Sequence, residues 1–280
     1  MLKETTLSKL VVQWLLNNFL VFVLVLTRIA SATMVAPMFS SVSIPPRLKV
    51  AFATFVSMAV FPLVRHVAVA VPTDLLGMTI GVLGEMLVGL TLGFGAAVLF
   101  AGVEIGGVII SRNMGTALAN VFNPMFESSV PLMGQFYSFF ALVVFMGTNG
   151  HHRLLEILIG TFRQVPLLGF RLTPNVAMHM VTMLGESFVL AFKLAAPVLV
   201  SLLLVTVSLG IVARTVPQMN VLIVGFPLKV CLGLVVSVVT LGAMALLLQG
   251  TFQWMLASLG GLLKLSLIHI SEPTRPLYIS

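Results

Sequence analysis

Residues 214–229 read RTVPQMNVLIVGFPLK, and this stretch parts two long apolar runs, roughly 188–213 and 221–248. Between the runs, Thr215-Val216-Pro217-Gln218-Met219-Asn220 is short and polar and carries a proline. Proline has no N–H to donate and moves the preceding residue out of helical geometry. The pattern predicts a helical hairpin with a tight, hydrogen-bonding tip. Just inside the second arm come Gly225, Phe226, Pro227 and Lys229, a bend and a cation for which a plain anchoring helix has no use.

Composition places the chain in lipid. It is 59% hydrophobic and 8% charged over 280 residues, against roughly 25% charged in soluble domains, and its mean hydropathy is +1.15. The net charge of +7 comes from scattered cations rather than a run, so an anionic lipid surface fits it and a nucleic acid does not. Cys231 is the single cysteine, which excludes an internal disulfide and a cysteine metal site. The apolar run after Lys9 is longer than a signal-peptide core and reads as a first spanning helix.

Bridging the lipid core takes about 20 apolar residues. Six stretches qualify: 10–36, 50–71, 75–103, 130–149, 182–213 and 221–248, with the apolar segment 252–263 extending the last. All are helical by elimination, because lipid offers open backbone groups no partners. The fold class is an all-α polytopic membrane protein of about six long, partly kinked helices. Loop 40–49, SSVSIPPRLK, is a surface turn anchored by Arg47 and Lys49.

Several polar residues lie inside these spans. Gly77, Gly81, Glu85, Gly89 and Gly93 fall four apart and form one slowly drifting helical stripe. Small residues there admit a second backbone at close range. An unpaired charge at mid-span costs about 2.5–3.5 kcal/mol. Glu85 is therefore a lock to a neighbouring helix, a proton-responsive group, or a carboxylate facing a polar lumen. Glu186 and Lys193 are seven residues apart, so they share a helix face but are too far apart to pair. With Lys229 they read as polar glue towards other chains, and Pro197 predicts a kink between them and the hairpin tip.

The stretch from Glu104 to Ser129, EIGGVIISRNMGTALANVFNPMFESS, is too apolar for a solvated loop and too interrupted to span. A re-entrant segment buried in protein or lining a cavity is the physical expectation. Residues from Gly150 to Met180 read as the longest polar loop. Its adjacent His151 and His152 point apart and offer no metal pair.

The motif Arg214-x-x-Pro217-Gln218-Met219-Asn220-Val221, followed by Gly225-Phe226-Pro227-x-Lys229, resembles the signature of the FliR family, subunits of the flagellar type III export gate. The resemblance continues through 191–197, AFKLAAP, which looks like the hairpin of the small partner FliQ. Arg28, Pro37 and Pro45-Pro46-Arg47 match the family's N-terminal pattern, and the whole likeness covers about residues 10–263. It implies a FliP-like part over about 10–180 and a FliQ-like hairpin over about 181–264, together one export-gate domain. It implies several FliP and FliQ copies around one copy of this chain, FlhB at the entrance, and unfolded flagellar proteins as cargo in the bacterial inner membrane. It gives the interrupted segment the role of a channel plug, carried by Gly106, Gly107, Ser111, Asn113, Met114, Gly115 and Pro124. Asn113 stands where the family pattern has glutamine, keeping the amide and shortening its reach. Arg28, Glu85, Glu104, Glu186, Lys193 and Lys229 are then inter-subunit polar contacts. The tip Pro217–Asn220 meets FlhB or FliQ. No catalytic group, cofactor or metal is implied.

Other functions are weighed on the same residues. The equivalent subunit of a virulence secretion system shares the fold. A secondary transporter fits broken helices and buried carboxylates, but the two halves hold no inverted repeat. A membrane enzyme lacks a nucleophile–base set, since Ser111, His66 and His179 stand alone in sequence. Counting Lys3, Lys9, Arg65, Arg153, Arg163, Arg171 and Lys264 against Arg47, Lys49, Arg112 and Arg214 favours the N-terminus inside. The resemblance instead puts the Arg214–Asn220 tip at the cytoplasmic entrance. Residues 265–280, LSLIHISEPTRPLYIS, resemble a translated sequencing adapter and read as a foreign tail.

Overall fold

The computed structural model describes residues 2–39, 44–64, 72, 74–116, 131–169, 174–218 and 220–265, of which 2–11, 221–222 and 262–265 are described by backbone only. Pro124, Met219, His66 and the tail 266–280 lie outside the described residues.

Seven helices and no strand occur among the described residues: α1 Leu2–Val35, α2 Pro46–Val64, α3 Leu75–Met114, α4 Leu132–Gly147, α5 Gly150–Gln164, α6 Pro174–Thr215 and α7 Val221–Leu265. Five are long and apolar enough to cross a membrane, and α4 with α5, bent by 70°, makes a sixth candidate. The chain is a multi-pass all-α membrane protein. Pro46 opens α2, where its missing N–H costs nothing. Asp74 caps α3 by accepting from Gly77 N at 2.8 Å. The α4–α5 break turns on Asn149, whose φ of 57° is a left-handed conformation that asparagine tolerates better than most residues.

Two expectations are corrected. Glu104 to Met114 is not re-entrant loop but the last three turns of the 40-residue α3. Its glycines are contact points rather than breaks: a methyl on Gly106 would lie 2.9 Å from the Ala191 carbonyl, and one on Gly107 would lie 2.5 Å from that of Met133. The expected polar loop Gly150–Met180 is largely helix, with α5 filling its first half and α6 beginning at Pro174. Leu154, Leu158, Thr161, Phe162 and Val165 recur at helical spacing, and the last four are buried.

The chain divides into two compact units that interleave along the sequence. The first comprises 1–97, 152–181 and 256–280. In it α1 packs on α2 through an edge-to-face pair of Phe22 and Phe61 at 5.8 Å. The second comprises 98–151 and 182–255. Its core is a triangle of Phe100, Phe145 and Phe252 with centroids 5.1–5.5 Å apart. Each such pair adds about 0.5–1.5 kcal/mol beyond its buried area.

Candidate functional site

The first unit is built on a buried charge. Arg28 of α1 and Glu85 of α3 are both fully buried, and Arg28 Nε donates to Glu85 Oε2 at 2.5 Å. Arg28 Nη1 donates to the Thr161 hydroxyl at 3.2 Å and to the Val165 carbonyl at 3.0 Å. The guanidinium carbon sits 4.4 Å from the centroid of Phe162, so the ring face meets a cation. Nη2 has no hydrogen-bond partner among the described residues. Glu85 spends its other oxygen on Leu168 N, at 2.9 Å.

That last bond explains an awkward backbone. Leu168 has φ 65°, a conformation that costs a bulky L-residue about 1–2 kcal/mol. It occupies the third position of the turn closed by Gly169 N and the Pro166 carbonyl at 3.0 Å, where glycine is usual. The carboxylate of Glu85 offsets the strain by holding the amide. Gly81 leaves room above it, since a methyl there would overlap the Leu168 side chain.

The stripe on α3 then continues against α1. A methyl on Gly89 would overlap Ser31 Oγ and the Arg28 carbonyl, and one on Gly93 would lie 2.6 Å from the Ala32 carbonyl. Gly77 differs: its neighbours are Pro72 and the capping Asp74. Arg28 and Glu85, expected as inter-subunit contacts, find each other within the chain. Thr161, Phe162, Val165 and Leu168, the remaining walls of this centre, escape sequence reading because α5 reads as loop. Their helical spacing is the signal that finds them.

The second unit places the other expected residues. Ser111 and Met114 are buried in α3, while Glu104 and Asn113 are exposed. Gly115, with φ 83°, ends the helix. Met114 fills the space beside Gly233 of α7, its Cε 2.6 Å from where a methyl would stand. In the hairpin, Arg214, Pro217, Gln218 and Asn220 are exposed. Asn220 caps α7, its Oδ1 3.3 Å from Ile223 N. Helix α7 runs unbroken through Gly225 and Pro227. Glu186 and Lys193 are exposed on α6 without an ion-pair partner among the described residues, and Lys229 is half-buried on α7. Pro197 follows Lys193 by one turn and withholds the N–H that the Lys193 carbonyl would otherwise accept.

These two arrangements differ in chemistry. The Arg28 centre is buried and internally paired, and it ties α1 and α3 to the segment 161–168. The exposed charges on apolar helices can recruit opposite charge from outside. Among the described residues no three His, Cys, Asp or Glu side chains gather as a metal site.

Comparison with known proteins finds bacterial export and flagellar biosynthetic proteins. The family model described as bacterial export proteins, family 1, matches residues 19–255. The flagellar biosynthetic protein FliR of Bacillus subtilis (strain 168) is 32% identical over 256 residues, covering 90% of this chain and 97% of the relative. The Escherichia coli (strain K12) protein of that name is 29% identical over 209 residues, covering 75% and 79%. That of Aquifex aeolicus (strain VF5) is 28% identical over 229 residues, covering 81% and 87%.

Proposed function

The chain belongs to family 1 of the bacterial export proteins, and from that premise we propose that it is a non-enzymatic subunit of the flagellar type III protein export gate. It forms a channel with FliP-like and FliQ-like chains, with an FlhB-like chain at the entrance. Unfolded flagellar proteins pass through that channel across the bacterial inner membrane. The internal segment that carries Gly106, Gly107, Ser111, Asn113, Met114, Gly115 and Pro124 acts as its plug. One observation supports the multi-subunit reading most: α6 carries exposed Glu186 and Lys193 within a span of mean hydropathy 2.5. Each would cost about 2.5–3.5 kcal/mol facing lipid. A subunit surrounded by others gives both a partner.

The closed Arg28–Glu85 centre fits the same reading. A chain whose outer faces bind several neighbours needs an internal reference that holds its own helices fixed. Native mass spectrometry of the chain co-expressed with FliP-like and FliQ-like partners tests the assignment. One copy of this chain among several of theirs is the expected result. A stable monomer or a self-symmetric ring that ignores them overturns it and returns the transporter reading to first place.

A further inference from the structure

We propose that the face of α6 carrying Glu186 and Lys193 is built for one partner helix, which presents a cation opposite Glu186 and a carboxylate opposite Lys193. The inference rests on the multi-subunit reading above and adds the chemistry of the partner. Both side chains are exposed, and neither forms an ion pair among the described residues. Seven residues of α-helix make nearly two full turns, so the two charges lie about 20° apart around the axis and about 10 Å apart along it. That is too far for them to neutralise each other. Lys193 sits near the middle of the 42-residue α6, about 28 Å from Pro174 and about 33 Å from Thr215. Its side chain therefore reaches neither end of the helix.

The helix is also held so that it cannot turn these charges inward. Its other side packs on residues 102–106 of α3, where a methyl on Gly102 would overlap the Ser187 carbonyl and one on Gly106 would lie 2.9 Å from that of Ala191. Ser187, Ala191 and Leu194 are buried on that side. On the outward side Gly185 has open space beside it, which admits a second backbone close to Glu186. At membrane depth an occupant has to satisfy its own backbone groups, which makes it a helix. A second copy of this chain, inserted the same way, fits badly. In register it sets Glu186 against Glu186 and Lys193 against Lys193. Staggered by seven residues, it pairs only one charge from each copy. A different helix with the complementary order pairs both charges, so the face selects a hetero-partner and rejects its own kind.

The test co-expresses FliP-like and FliQ-like chains with the parent, Glu186→Lys, Lys193→Glu, or the double exchange Glu186→Lys with Lys193→Glu. Recovery of the complex is measured by native mass spectrometry, and the unfolding midpoint of each isolated chain in detergent. The double exchange keeps composition and net charge and reverses only the order of the two charges. Recovery is expected to fall about three- to tenfold in both single variants and in the double exchange, with the midpoint unchanged. A double exchange recovered at the parent level overturns the ordered pairing. Second-site changes that restore the double exchange are then selected, which keeps the test decisive for a variant whose midpoint falls. They are expected to reverse charges on one helix of a partner chain, and restoration only by changes within this chain overturns the proposal. A parent that forms a self-symmetric oligomer dependent on both charges overturns the choice of occupant alone. A parent that assembles with neither chain overturns the multi-subunit reading and this inference with it.

Discussion

The α1–α3 pair and the α6–α7 hairpin are both apolar enough to cross a membrane yet solve opposite problems. Their spans have mean hydropathies of 2.1 for α3 and 2.5 for both hairpin helices. An 18-residue apolar stretch of α3 is 61% buried within the chain, against 33% for that of α6 and 17% for that of α7. In the first pair a full charge has been taken inside, paired, and surrounded by hydrogen bonds. In the second, charges remain on the outside of apolar helices. Hydropathy alone does not separate the two. What separates them is whether the chain itself supplies each charge with a partner. The first pair is finished by folding, and under the proposed function the second is finished by assembly.

The sharpest way to break this contrast is to remove one half of the pair. Glu85→Ala leaves the Arg28 cation buried and should cost about 3–5 kcal/mol, read as a drop in the unfolding midpoint of the purified chain in detergent. Arg28→Met combined with Glu85→Leu should recover most of that loss, because apolar pairs replace buried ion pairs well. A single variant that melts with the parent would mean that the centre is not what holds the first unit together.

Gly89→Ala comes next. It forces Cβ into the Arg28 carbonyl and Ser31 and should cost about 1–3 kcal/mol by overpacking. Gly84→Ala, one residue off the stripe with nothing within 4 Å, should be neutral or gain up to about 1 kcal/mol from helix propensity. Equal melting of the two would dissolve the stripe as a packing feature. In the hairpin, Asn220→Ala removes the cap of α7 and should cost about 1 kcal/mol, visible as faster amide exchange at Ile223 and Val224.

The smallest effect on the isolated chain is expected from Lys193→Met and Lys229→Met, within about 0.5 kcal/mol of the parent. Recovery of the assembled complex should nonetheless fall several-fold. Full recovery would remove these lysines from the interface and narrow the difference between the two regions to packing alone.

How much of this was open to sequence reading depends on distance along the chain. The four-residue rhythm of Gly81, Glu85, Gly89 and Gly93 marks a close-packed face with a carboxylate in it. The partner does not follow from any local pattern, since Arg28 lies 57 residues away and Val165 another 80 beyond Glu85. The hairpin of residues 174–265 is legible because its turn chemistry is local: Pro217 stops one helix and Asn220 starts the next. Misreadings have a common physical source. Gly106 and Gly107 look like interruptions in a one-dimensional string, but each glycine admits a neighbouring backbone and leaves α3 intact. The polar residues His152, Arg153, Glu156 and Arg163 make α5 look like loop, although they occupy the exposed face of an amphipathic helix.

The long reach of Arg28 also sets a timetable for biosynthesis. At about 5–20 residues per second, the ribosome adds Glu85 about 3–11 s after Arg28, and Val165 about 7–27 s after it, given separations of 57 and 137 residues. Helix α1 is therefore made before Glu85, the carboxylate that pairs its buried cation in the folded chain. Nascent chains arrested before residue 85 should keep α1 cross-linkable to the insertion machinery, and chains extending past α5 should release it. The first helix to be made is among the last to be settled.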